Sequence, residues 1–144
     1  MINSILKEVK FDKIFDDNAA GTDDTLNGDI LDLANADSVC AVIALGDVSN
    51  TSVITLKAYT GDEANLSDGA YETDTATVTA DATSADDKLL VLDVIKPGKR
   101  YVRFDIVRAT ANAEIDAGVA VRYNYRAIPT TQPDDVVDSE ISVN

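Results

Sequence analysis

The sequence predicts an all-β protein: an antiparallel β-sandwich, jelly-roll or Ig-like, of about seven or eight short strands with extended N- and C-terminal arms. Three observations predict it. Short runs rich in Val, Ile, Thr and Tyr recur at fairly even spacing. Clusters of Gly, Asp, Asn, Ser and Pro, the residues that turns require, separate them. Within several runs apolar and polar residues alternate with period two, which sends them to opposite faces of a strand. Strands alternating with long helical segments, the pattern of a parallel sheet, are missing. At 144 residues the chain is long enough for one domain with a real core and short for two.

In chain order, residues 1–28 read as an N-terminal arm and acidic loop, 29–128 as the sandwich, and 129–144 as an extended tail. Ile2, Ile5, Leu6 and Val9 fall at helical spacing, whereas the run from Val9 to Phe11 also alternates. Both a short amphipathic helix and an extended arm fit. Asp16 to Asp29 reads as a polar loop. Strands are expected at Ile30–Leu33, Ser38–Leu45, Ser52–Tyr59, Thr73–Ala82, Lys88–Ile95, Lys99–Arg108 and Gly118–Arg126. Asp62 to Leu66 looks like a single helical turn. In Lys99–Arg108, Val102, Phe104 and Ile106 oppose Tyr101, Arg103 and Asp105. In Gly118–Arg126, Val119, Val121, Tyr123 and Tyr125 oppose Ala120, Arg122, Asn124 and Arg126. Ser38–Leu45 and Lys88–Ile95 are apolar on both faces, as in central strands or strands covered outside by a partner. After Ile128 the two-proline tail has no periodicity and suits an arm lying on a neighbour or left mobile.

Charge is the least uniform property of the chain. The formal net charge is −14, which disfavours a general nucleic-acid binder or attachment to anionic membranes. Yet eight of the twelve basic residues lie between Lys88 and Ala127. A basic face meeting an acidic surface, either another copy or a large scaffold, would give register and orientation. Alternatively these arginines cover one outer sheet face and pair with local aspartates. Tyrosines sit beside them, a composition enriched at interfaces. The candidate assembly interface is therefore Lys99, Arg100, Tyr101, Arg103, Arg108, Arg122, Tyr123 and Arg126.

Catalytic chemistry finds little support. The chain has no His, so the usual general base and the commonest metal ligand are missing. Cys40 is the single cysteine and lies in an apolar run, where a buried thiol is expected. Asp23-x-Thr25-x-Asn27-Gly28 echoes the start of an EF-hand loop, but Ala34 stands where a bidentate Glu is needed. A solvated loop is the simpler reading. No cofactor, metal site or catalytic residue is predicted. The N-terminus lacks the basic start and long apolar core of a signal peptide, so the protein is expected to stay soluble inside a cell or leave it by lysis.

One segment carries a resemblance. Pro97, Gly98, Arg100, Tyr101, Val102 and Arg103, followed by Ala117 to Arg126 and the Pro129–Gln132 exit, resemble small structural proteins of tailed bacteriophages. It covers about the last third of the chain. The resemblance implies a virion protein, a capsid decoration or cement protein with a β-sandwich fold that assembles as a homotrimer on the major capsid protein. Under it, Ile2, Ile5, Leu6, Val9 and Phe11 become the candidate capsid-contact arm. The alternative is a β-sandwich binding module, a head-fibre or tail component that recognises a host-surface glycan or receptor.

Overall fold

A computed structural model describes residues 4–142. One helical turn, α1 (Ile5–Glu8), precedes ten strands: β1 (Lys10–Phe15), β2 (Asn18–Gly21), β3 (Asp24–Asn27), β4 (Leu31–Asp32), β5 (Ala36–Val48), β6 (Val53–Gly61), β7 (Ala70–Thr79), β8 (Leu89–Ile95), β9 (Tyr101–Ala109) and β10 (Ala113–Tyr125). The first sheet has the order β1-β10-β5-β8, with β2 also paired to β10. The second has the order β3-β9-β6-β7, with β4 also paired to β9. Only β6 and β7 are neighbours in both sequence and sheet. The chain passes from one sheet to the other at β2–β3, β4–β5, β5–β6, β7–β8, β8–β9 and β9–β10. That is the winding of a jelly roll, one of the two sandwiches the sequence allows.

The core lies between the sheets. Val39, Ile43, Ile54, Leu56, Val102, Phe104 and Ile106 are fully buried. Each contributes roughly 1.5–3 kcal/mol of transfer free energy. Val102, Phe104 and Ile106 face inward, as their alternation predicts. The inner face of β10 is a different matter. Ile115 near its start is buried, but further along Ala120 is fully buried while Val119 is 37 % exposed, so from Gly118 to Val121 the inner face carries the smaller residues. Gly118 gives the reason: a Cβ there would lie 2.6 Å from Phe15 Cδ2 and 2.9 Å from Ile43 Cδ1. At Gly118 the space inside is already filled by side chains from β1 and β5, and β10 can offer it only small residues there.

The N-terminal segment is not an arm. Lys10–Phe15 pairs with β10, Asn18–Gly21 with the start of β10, and Asp24–Asn27 with β9. The polar loop expected at Asp16 to Asp29 is thus largely strand, and Asp24 to Asn27 lacks the loop form an EF-hand requires. Asp62 to Leu66 is a turn and not helical. Asp68 accepts the backbone N–H groups of Asp62 (2.9 Å) and Glu63 (3.1 Å) and so competes with helix formation.

The C-terminal tail lies on its own chain. Gln132 Oε1 accepts the Phe11 N–H (3.1 Å), and Gln132 Nε2 donates to the carbonyls of Leu6 and Val9. Asp135 accepts the Lys13 N–H at 2.9 Å, and the Thr130 hydroxyl donates to Val9 O. The tail therefore occupies the outer edge of β1 with side-chain partners. A free sheet edge is otherwise a template for unwanted pairing.

Candidate functional site

The basic face expected over residues 99–126 does not form, because β9 and β10 belong to different sheets. Lys99, Arg100, Tyr101, Arg103 and Arg108 lie on or beside β9; Arg122, Tyr123 and Arg126 lie on or beside β10. The arginines and Lys99 are each paired. Lys99 reaches Asp62 (2.7 Å), Arg100 grips Asp32 with two bonds, and Arg126 meets Asp37 at 3.1 Å. These three are exposed, and such pairs contribute little. Tyr101 lies beneath the Arg100 guanidinium, 5.1 Å from its carbon.

The other three are largely covered, Arg103 on the outer face of the second sheet and Arg108 and Arg122 on inward-facing positions. Arg103 forms a two-pronged pair with the fully buried Asp105, which also accepts the Tyr71 hydroxyl at 2.8 Å. Arg122 grips Asp12 in the same way and donates to the Asp32 carbonyl. Arg108 is 4 % exposed and spans both sheets through Asp24 and the carbonyls of Ala19 and Ala113. Of these pairs only Arg103–Asp105 is local in sequence. The guanidinium beside each carboxylate holds Asp24 and Asp32 below their ordinary range. These cations stabilise the fold and are not available to a partner.

What the outside offers instead is an apolar sheet face. Three cross-strand rows run over the first sheet. They are Phe11–Val121–Cys40–Asp93, then Lys13–Val119–Val42–Val91, then Ala117–Ala44–Leu89. A fourth row holds Tyr123, Ser38 and Ile95. Leu89 is 66 % exposed, Ile95 64 % and Val91 47 %. From strand and residue spacings the patch covers on the order of 300 Å², a size that on a monomer is often functional. The single charge in its middle, Asp93, is held by the Tyr123 hydroxyl at 2.7 Å. Burial, with that bond to Asp93, pushes the Tyr123 phenol up to about 12.

The outer face of the second sheet is the control within the same molecule. Its corresponding rows are Thr25–Val107–Thr55–Thr77 and Asn27–Asp105–Lys57–Thr75. That stretch of the face is mostly polar, and the apolar groups beside it are Val53 and the Tyr59–Tyr71 pair. In the sequence, Val119, Val121 and the doubly apolar Lys88–Ile95 carry the signal of this contrast.

The expected arm residues are scattered. Ile2 lies outside the described residues. Ile5 is 61 % exposed on α1, Leu6 is partly covered, and Val9, between α1 and β1, is buried. Phe11 sits on the apolar face opposite Val121. Cys40, also on that face, is half-buried, and burial raises its thiol. Among the described residues no group of three His, Cys, Asp or Glu is placed to hold a metal ion, and no helix is long and apolar enough to cross a membrane. Compared with models of protein families and with curated proteins, the chain matches none.

Proposed function

We propose that this chain is a noncatalytic virion structural protein of a tailed bacteriophage, which binds the outer surface of the capsid as a symmetric oligomer and stabilises the shell. The observation that carries the reading is the apolar outer face of the first sheet, set against the mostly polar outer face of the second. A protein that acts by adhesion needs a surface of this kind and no enclosed pocket. The phage-like segment from Pro97 to Gln132 supports the same reading. So does the jelly roll itself, by analogy only, since the fold also serves unrelated roles.

Magnitudes say why an oligomer suits the task. Burying roughly 300 Å² of apolar surface yields about 7 kcal/mol at 25 cal/mol/Å². Association costs an estimated 4–15 kcal/mol or more. One copy docking through this face alone is marginal, and linked copies gain from effective concentration. Neighbouring capsid subunits bridged by such an oligomer would resist separation under internal pressure. The major capsid protein is the proposed partner.

Co-sedimentation with empty capsids from the same source tests the proposal. The wild-type chain is expected to pellet with the shells, and Val119→Asp and Leu89→Asp, both at exposed positions, to lose at least about tenfold in affinity. Equal binding by the variants would overturn the assignment of the face. Should the wild type fail to pellet at all, a head-fibre or tail component that recognises a host glycan or receptor takes its place.

A further inference from the structure

The two edges of the first sheet are treated differently. The edge at β1 is occupied by the tail, whose Gln132 and Asp135 take the N–H groups of Phe11 and Lys13. Among the described residues no strand pairs with the outer edge of β8. Its open backbone groups can be identified. Leu45 N–H donates to Lys88 O and Lys96 N–H to Asp37 O, so the even-numbered residues of β8 bond to β5. In an antiparallel ladder the alternate residues, Leu89, Val91, Asp93 and Ile95, then point their N–H and C=O groups away from the sheet. Within Leu89–Ile95 the strand has no proline, no lysine and no bulge in its register with β5, and Asp93, held by Tyr123, is its one charged side chain. Its apolar side chains are also the most exposed part of the outer face.

We propose that β8 pairs antiparallel with β8 of a second copy about a two-fold axis at Val91, joining two first sheets into one continuous sheet. Charge selects this register. A two-fold at Asp93 sets two aspartates directly opposite, and one at Leu92 sets Lys88 against Lys96. At Val91 both clashes vanish, Leu89 lies opposite Asp93, and Lys96 comes to the Asp86–Asp87 turn of the second copy. About six ladder hydrogen bonds form, and the two apolar faces become one. A two-fold edge contact is self-complementary and closes at two copies. This inference rests on the reading of the chain as an assembling protein and names the contact through which it assembles.

Sedimentation velocity on the full chain, without capsids, tests it. A dimer is expected that tightens as salt rises, because two copies each carrying −14 repel and salt screens them. An interface built on ion pairs would weaken instead. Val91→Lys places two ammonium groups across the axis and is expected to weaken the dimer at least about 100-fold with an unchanged circular dichroism spectrum. In a Cys40→Ser background, Val91→Cys is expected to give a disulfide-linked dimer on oxidation, whereas Val119→Cys, two strands in from the edge, is not. A monomer, a trimer, weakening by salt, or a dimer indifferent to Val91→Lys would each overturn the pairing. Failure to bind capsids by a chain that still dimerises would overturn only the virion role.

Discussion

Replacing Arg108 by alanine removes the one side chain that ties both sheets together at one end of the sandwich. Its Nε and Nη2 donate to the Asp24 carboxylate of β3, and its Nη1 donates to Ala19 O of β2 and Ala113 O of β10, both at 2.7 Å. Asp24 keeps 39 % of its side chain in water and can be rehydrated, but Ala113 is fully buried and its carbonyl would lose that donor. A stranded buried polar group costs about 1–3 kcal/mol, and breaking a buried ion pair about 3–5 kcal/mol in total. With a urea slope of about 2 kcal/mol/M, the midpoint should fall by roughly 2 M. Arg100→Ala, which breaks an exposed pair, should cost no more than about 1 kcal/mol. The two variants falling together would refute the argument that burial and the carbonyl contacts make Arg108 different. Acid titration supplies a second readout. Asp24 is held below its ordinary value by the Arg108 bonds, so its contribution is present above about pH 4 and is lost as pH falls through the lower folded value. Arg108→Ala should flatten the acid limb of the stability curve.

Two further predictions follow from the packing. The Tyr123 phenol, raised to about 12 by burial and by its bond to Asp93, contributes stability that is intact below about pH 10 and lost as pH rises toward 12. Phenolate absorbance should lose its most alkaline component in Tyr123→Phe, and an unchanged titration would remove the bond from the account. Gly118→Val should destabilise by about 1–3 kcal/mol through overpacking against Phe15 and Ile43, and Phe15→Leu should recover part of that loss. Additive losses in urea melts would show that the two sites do not touch.

Strands with a β-branched run were legible, and the seven segments from Ile30 onward correspond to β4 through β10. β1 was legible only as the extended alternative to a helix, and β2 and β3 were not legible because Asp and Asn interrupt them; long-range pairing with β9 and β10 makes these segments strands. Period two in β10 was read correctly but does not say which face is the core. Gly118 was the only hint, since a glycine amid a strand marks a close approach. Arg108 could have been placed: it is in phase with Val102, Phe104 and Ile106, so the alternation already sent it inward. The Arg122–Asp12 pair could not, because its members are 110 residues apart and meet only through the β1–β10 register. Neighbours in sequence were taken for neighbours in a sheet, and that turned paired arginines into a supposed basic face.

The acidity and the apolar face then act at different ranges. A net charge of −14 repels like copies over about a Debye length, roughly 8 Å at physiological salt. That keeps a chain with Leu89, Val91 and Ile95 exposed from collapsing into disordered aggregates. Sheet pairing and apolar contact act only on touching, where they exceed the screened repulsion if the register is right. The intramolecular use of Arg103, Arg108 and Arg122 belongs to the same arrangement. Those cations neutralise buried and half-buried carboxylates, so the excess charge resides on exposed Asp and Glu, of which Asp93 alone stands among the apolar rows. A protein balanced in this way stays dispersed when dilute and adheres where a complementary surface holds copies close together.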